Sequence, residues 1–229
     1  MTTYFTSRTF AFLRDLAEHN DRGWFAENQA RYEDHVRGPA IELIEDIAAP
    51  LFKVSPHVLA DPRKVGGSLF RIQRDTRFSS DKSPYKTHVG IHFRHEATRS
   101  DVHAPGFYLH IEPKGCFAAL GLWHPATGHA TAIREAIVAD PDTWRRAAHD
   151  EAFVEVYGEL GGESLKRPPR GFDPEHPFVD DIKRKDFIAS TPLSQKQVTA
   201  DDFTSTYLAT VETGVPFMRF LCAAIGLDF

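Results

Sequence analysis

Phe107-Tyr108-Leu109-His110-Ile111-Glu112-Pro113-Lys114-Gly115-Cys116-Phe117-Ala118-Ala119-Leu120-Gly121-Leu122-Trp123 holds two alternating runs on either side of Pro113-Lys114-Gly115. Alternation with a period of two marks a strand with one face buried, and the turn joins the runs into an antiparallel hairpin. A tight three-residue loop pairs Glu112 near Cys116, His110 near Ala118 and Tyr108 near Leu120. One face then carries Tyr108, His110, Glu112, Cys116, Ala118 and Leu120. The other carries Phe107, Leu109, Ile111, Phe117, Ala119 and Gly121. That second face is wholly apolar and needs a layer of helices over it.

Upstream, Leu69–Arg74 and Thr87–Phe93 read as further strands, with polar loops at 75–86 and 94–105. Before them the periodicity is helical. Ser7 is a good N-cap for a helix over 7–19, and Asn20-Asp21-Arg22-Gly23 breaks it. Trp24, Phe25, Asn28, Tyr32 and Val36 form a second amphipathic stripe, with Trp24 and Phe25 as a plug at the helix start. Pro39 opens a third helix reaching Phe52. Downstream, helices are expected at Thr127–Ala139 and from Asp140 to Ala148, with a further turn or two at 151–158. The Gly161–Gly171 stretch is irregular. A short helix and a strand at Asp186–Ser190 follow, then a long helix from Asp201 to Ile225 split at Gly214-Val215-Pro216. The chain reads as one α+β domain over 1–229: helical at 7–52, β-rich at 65–124 and helical at 127–225. Its central, mainly antiparallel sheet is packed by the N- and C-terminal helices.

The 229 residues carry 27 Lys+Arg against 32 Asp+Glu, and a net charge of −5 argues against a general nucleic-acid binder. Eighteen Phe, six Tyr and three Trp promise an aromatic core. No apolar run is long enough for a membrane span, and the N-terminus lacks a signal-peptide pattern. Cys116 and Cys222 stand far apart without a CxxC, so a reduced, cytoplasmic setting is expected, with Cys116 a small core hydrophobe. There is no GxSxG, GxGxxG, Walker A or HExxH string.

One polar segment stands apart. Between 71 and 86 lie Arg71, Arg74, Arg77, Lys82 and Lys86 against only Asp75 and Asp81. Arginine forks bind carboxylates and phosphates in pairs of hydrogen bonds, and Ser79-Ser80-Asp81 offers successive N–H groups to an anion. An anionic site here would use Arg71, Arg74, Asp75, Arg77, Ser79, Lys82, Tyr85 and Lys86. Arg74 and Arg77 would clamp the anion, Asp75 would orient one of them, and Asp81 is the candidate acid/base. The same residues would equally serve as an internal ion-pair network pinning a long loop, with Tyr85 its aromatic anchor.

This segment resembles the signature Arg-Ile-x-Arg-Asp-x-Arg-Phe-Ser-x-Asp-Lys-x-Pro-Tyr-Lys of a bacterial and fungal family, domain of unknown function 2461. The match falls on Arg71, Ile72, Arg74, Asp75, Arg77, Phe78, Ser79, Asp81, Lys82, Pro84, Tyr85 and Lys86. Arg22-Gly23-Trp24-Phe25, Pro105-Gly106-Phe107-Tyr108 and Leu165-Lys166-Arg167-Pro168-Pro169-Arg170-Gly171 fit it too. The resemblance implies membership and a single domain. It implies no activity and no cofactor.

Twelve histidines are present, six of them in the β-rich block: His88, His92, His95, His103, His110 and His124. Strand alternation leaves open a two-His-one-carboxylate metal site from His92, His110 and Glu112, although scattered strand histidines are more often surface or hydrogen-bonded core residues. Lys166–Gly171 is either a second basic loop or a solvated turn. The leading functional expectation is a basic cleft around 71–86 for an anionic, phosphorylated small molecule or nucleotide. A nucleic-acid-binding or processing module and a purely architectural motif are its rivals. Cofactors and oligomeric state are open.

Overall fold

Five strands hydrogen-bond in the order in which they occur in the chain, each pair antiparallel: β1 (Val58–Leu59), β2 (Val89–His95), β3 (Gly106–Ile111), β4 (Cys116–Leu122) and β5 (Phe187–Leu193). The structure, a computed structural model, describes residues 2–98, 101 and 103–229. The sheet has one helix-covered face and one open face. Val89, Ile91 and Phe93 of β2 lie beside Phe107, Leu109 and Ile111 of β3, and all six are buried. This is the expected α+β architecture, and sheet and helices share one hydrophobic core.

The hairpin register departs from expectation. Phe107 pairs with Leu120, Leu109 with Ala118 and His110 with Phe117, because the loop is the four residues Glu112–Gly115, closed by Gly115 N–H donating to the Glu112 carbonyl (3.2 Å). One extra loop residue turns every β4 side chain to the opposite face. Cys116, Ala118, Leu120 and Leu122 therefore join the buried face, while Phe117, Ala119 and Gly121 look out beside Tyr108 and His110. The slip buries two leucines that the other register would have faced outward or left at the margin.

Helices α1 (Ser7–Glu18), α2 (Arg22–Glu27) and α3 (Gln29–Tyr32) open the chain. Thr6, not Ser7, caps α1, with Thr9 completing a reciprocal capping box. The second and third expected helices are one continuous body. After α3 a π turn at Glu33–Arg37 leads straight into α4 (Gly38–Val54), and the buried Thr9 hydroxyl donates to the His35 carbonyl within that turn (2.7 Å). Of the expected strand Leu69–Arg74, only isolated bridges form, Leu69 to Ile91 and Gln73 to Tyr85. In the expected loop 94–105, residues 94 and 95 belong to β2, and residues 99, 100 and 102 lie outside the described residues.

After the hairpin come α5 (Thr127–Ala139), α6 (Pro141–Ala148), α7 (Glu151–Tyr157) and α8 (Val179–Ile182). Then β5 returns to the sheet edge, followed by α9 (Gln195–Val198), α10 (Phe203–Thr213) and α11 (Val215–Ala224), divided at Gly214 as the sequence indicates. The helices α10 and α11 pack on β4, and Tyr207 of α10 meets Phe93 of β2. A buried polar pin holds α6 to α8. Asp181 accepts from the fully buried Trp144 Nε1 (2.8 Å), from Arg184 Nε (3.2 Å) and pairs with His149 Nε2 (2.7 Å). Among the described residues, no helix is long and apolar enough to cross a membrane.

Candidate functional site

Residues 68–86 fold back on themselves beside β2. His92 N–H donates to the Ser68 carbonyl (2.8 Å) and Phe70 N–H to Gly90 (2.9 Å). The two arms of the motif are then tied by Lys86 N–H to Ile72 (2.8 Å) and Arg74 N–H to Pro84 (2.9 Å). Tyr85 is the anchor. Its ring stacks on Phe25 of α2 (4.2 Å), and the Asn20 side chain bonds both its carbonyl and its N–H at 3.0 Å. The plug at the start of α2 and the tyrosine of the motif are therefore one contact.

The charged tip satisfies itself. Arg77 forks onto Asp75 (2.7–3.2 Å), Arg74 pairs with Asp81 and donates to the Ser83 carbonyl (3.2 Å), and Lys82 donates to the Thr76 carbonyl (2.9 Å). Ser83 gives Asp81 both its N–H (2.9 Å) and its hydroxyl (2.6 Å). These bonds hold both carboxyls well down: Asp81 at about 2, chiefly through Ser83 and then Arg74, and Asp75 at about 2, chiefly through Arg77. Asp81 is an exposed, partnered anion, which suits a turn stabiliser better than a proton carrier. Phe78 at the tip is 96% exposed and Ser79 donates its N–H to Thr76 (3.4 Å).

A cleft of about 650 Å³ lies on the open face of the sheet. Its floor is His92 and Gly106, with Tyr108, Phe117, Ala119, Gly121 and Ile188 from the neighbouring strands. Phe70, Arg71 and Lys86 of the motif wall one side, and Trp123 another. Of the eight motif residues expected at a ligand, Arg71 and Lys86 border this cleft; Arg74, Asp75, Arg77, Ser79, Lys82 and Tyr85 do not. Arg71 is exposed and, among the described residues, has no carboxylate within ion-pair distance. Among the described residues Lys86 donates only to carbonyls, those of Arg71 (2.5 Å) and Gln73 (3.2 Å), and burial followed by the charges of Arg71 and Arg74 pushes its ammonium down.

His92 stands at the floor of the cleft. It is 7% exposed, meets the rings of Phe70 and Tyr108 edge-on, and its ring makes no hydrogen bond among the described residues. Burial, then Arg94, holds it down at about 3, so its ring is neutral at ordinary pH with one donor and one acceptor nitrogen. The Gly106 position leaves room for that ring, since a Cβ there would stand 2.8 Å from His92 Nε2. His110 and Glu112 bond each other instead of converging on His92. Tyr108 Oη lies 3.1 Å from His110 Nδ1, and His110 Nε2 lies 3.2 Å from Glu112. No cluster of three metal-ligating side chains occurs among the described residues.

Behind Trp123, which walls the cleft, lie His124 and Asp186, which do not line it themselves and whose pairing the sequence does not reveal. Trp123 stacks on His124 (4.2 Å), and His124 meets Asp186 across 62 positions of sequence. Nothing local in the sequence joins them; the β4–β5 register, Leu122 opposite Phe187, does so. The basic stretch Lys166–Gly171 does not line the cleft. A family model described as "Conserved hypothetical protein (DUF2461)" matches residues 8–220. No curated protein and no solved structure matches the chain.

Proposed function

The chain belongs to the DUF2461 family of conserved hypothetical proteins, and on that premise we propose that it binds a small molecule with a flat apolar body and an anionic group in the open-face cleft. The observation that carries this reading is His92, a neutral imidazole at the floor of an aromatic cleft whose ring makes no hydrogen bond among the described residues. A ligand group that bonds a nitrogen of this ring takes the place of cleft water there. The cleft volume lies within the range of small-ligand sites, and the mix of aromatic wall and few polar groups is their usual character. Phe70, Phe117 and Trp123 favour a planar body. Arg71 and Lys86, cations without carboxylate partners, favour an anion at the rim. A nucleotide or an aromatic acid has both parts. The motif thus divides its labour: Arg74, Asp75, Arg77, Asp81 and Tyr85 hold the loop in shape, and Arg71 and Lys86 line the cleft side that meets the ligand.

The test is calorimetric and fluorescence titration with adenosine monophosphate, 8-anilinonaphthalene-1-sulfonate and inorganic phosphate. At least one aromatic anion should bind, phosphate alone should not, and Arg71→Ala and His92→Leu should each weaken binding while the protein stays folded. Binding indifferent to both substitutions sinks the reading. Salt-sensitive binding of single-stranded DNA that is lost in Arg77→Ala, with no small-molecule binding, would favour the nucleic-acid alternative.

A further inference from the structure

We infer that Asp186 and His124 form a general-base dyad at the Trp123 edge of the cleft, taking a proton from the bound molecule; the inference rests on the cleft being a ligand site. Asp186 immediately precedes β5 and His124 closely follows β4, so the strand register holds both in place. The Asp186 side chain is 1% exposed. One of its oxygens accepts from His124 N–H and faces His124 Nδ1, both at 2.7 Å; the other accepts from Glu163 N–H at 2.9 Å. Burial pushes this carboxyl up, but the donors from Glu163 and His124 outweigh it and keep it below the ordinary range.

An ionised carboxylate can only accept, so His124 must present Nδ1–H to it, and the neutral ring then keeps its lone pair on Nε2. The His124 side chain is 46% exposed, and no hydrogen bond occupies Nε2 among the described residues. Its ring lies against Trp123, which walls the cleft. His124 also has φ of 49°, a left-handed backbone that none of the other described non-glycine residues adopts. Such a conformation carries strain and is characteristically held where a side chain must be aimed.

Four histidines contact a carboxylate among the described residues: His57, His110, His124 and His149. The others lack part of this arrangement. Glu96, the partner of His57, is half exposed. Both ring nitrogens of His110 are engaged, by Tyr108 and Glu112. His149 belongs to the Trp144–Asp181 pin, and its ring meets Trp144 and Phe178, neither of which lines the cleft, whereas His124 stacks on Trp123, which does. In the proposed step an acidic O–H, N–H or C–H of the ligand gives its proton to Nε2. The electron pair stays on the ligand, Asp186 stabilises the imidazolium, and Arg71 and Lys86 stand on the cleft rim to balance the new negative charge.

The test combines long-range ¹⁵N–¹H NMR of the histidine rings with diethyl pyrocarbonate labelling, read peptide by peptide, with and without saturating 8-anilinonaphthalene-1-sulfonate. The dyad requires the Nδ1–H tautomer at His124, labelling of His124, and loss of that labelling when the probe occupies the cleft. Asp186→Asn should abolish the tautomer preference. If that variant does not fold, the wild-type measurements decide alone, and His124→Gln, which spares the two backbone donors to Asp186, identifies the resonance and the labelled peptide. An Nε2–H tautomer in the wild type overturns the dyad. Probe fluorescence with undiminished His124 labelling overturns its place at the cleft while leaving the cleft intact. Absence of probe binding removes the cleft reading, and the dyad's role falls with it.

Discussion

Acid should cost the wild-type protein stability that a His92→Leu variant keeps. Burial holds the native His92 ring at about 3, whereas the same side chain in the unfolded chain takes up a proton near the ordinary value of about 6.5. A depressed native value means that the neutral native form is fully favoured above about 6.5. The unfolded state then gains protons, and the native state loses ground, as the pH falls toward about 3. At pH 4.5 the gap is about two pH units, and at about 1.36 kcal/mol per unit this one residue accounts for about 3 kcal/mol. That is a large share of the roughly 5–15 kcal/mol by which domains are stable. The assay is urea unfolding of both proteins at steps from about pH 7.5 to about pH 4.5, taking the difference in stability at each step. His88, also held down by burial, at about 4, contributes to both curves and cancels in the difference. A difference that stays flat across the range would mean that His92 is solvated or partnered, and the argument for a ligand at that nitrogen would go with it.

Other expectations follow from single positions. Gly106→Ala should weaken the fold and close the cleft together, because its Cβ would stand 2.3 Å from the Phe93 carbonyl and 2.8 Å from His92; thermal melting and probe binding report the two effects. Asp181→Asn should cost about 3 kcal/mol by breaking the pin to His149, Trp144 and Arg184. Burial raises this carboxyl, but His149 and Trp144 bring it below the ordinary range. Its contribution is therefore present above about pH 4 and lost below it, and the variant's acid limb should be flatter. Tyr207→Phe should leave stability unchanged or raise it, since the buried Tyr207 hydroxyl has no hydrogen-bond partner among the described residues; a fall of about 1 kcal/mol or more in urea unfolding would contradict that. Arg77→Ala should leave the melting temperature where it is, its ion pair with Asp75 lying in solvent.

The helix periods and the hairpin were legible because each is written within about 15 residues. The hairpin register was not. Whether Phe117 or Cys116 faces the helices depends on one loop residue, and Pro113-Lys114-Gly115 is compatible with either count. That single ambiguity concealed the cleft, whose aromatic wall needs Phe117 on the same face as Tyr108. The motif was legible as an unusual charge cluster, and its alternative as an internal network describes Arg74 and Arg77 well. Which of its cations lacked a partner was invisible, because Asp75 and Asp81 could have served any of the five. His124 and Asp186 were beyond local reading altogether, since only tertiary pairing brings them together.

The strand order has a consequence for how the chain emerges from the ribosome. The hairpin of β3 and β4 is complete at Leu122, yet α10 and α11, which pack on β4, end only at Ala224. At about 5–20 residues per second, the interval of about 100 residues lasts about 5–20 s. Throughout it Phe107, Leu109, Ile111 and Leu120 have no cover from the C-terminal helices, and the edge of β4 has no partner until β5 arrives. A nascent chain paused between the two points presents a sticky half-sheet. A chain truncated before α10 should collect in the insoluble fraction or on chaperones, however intact its motif and cleft residues are.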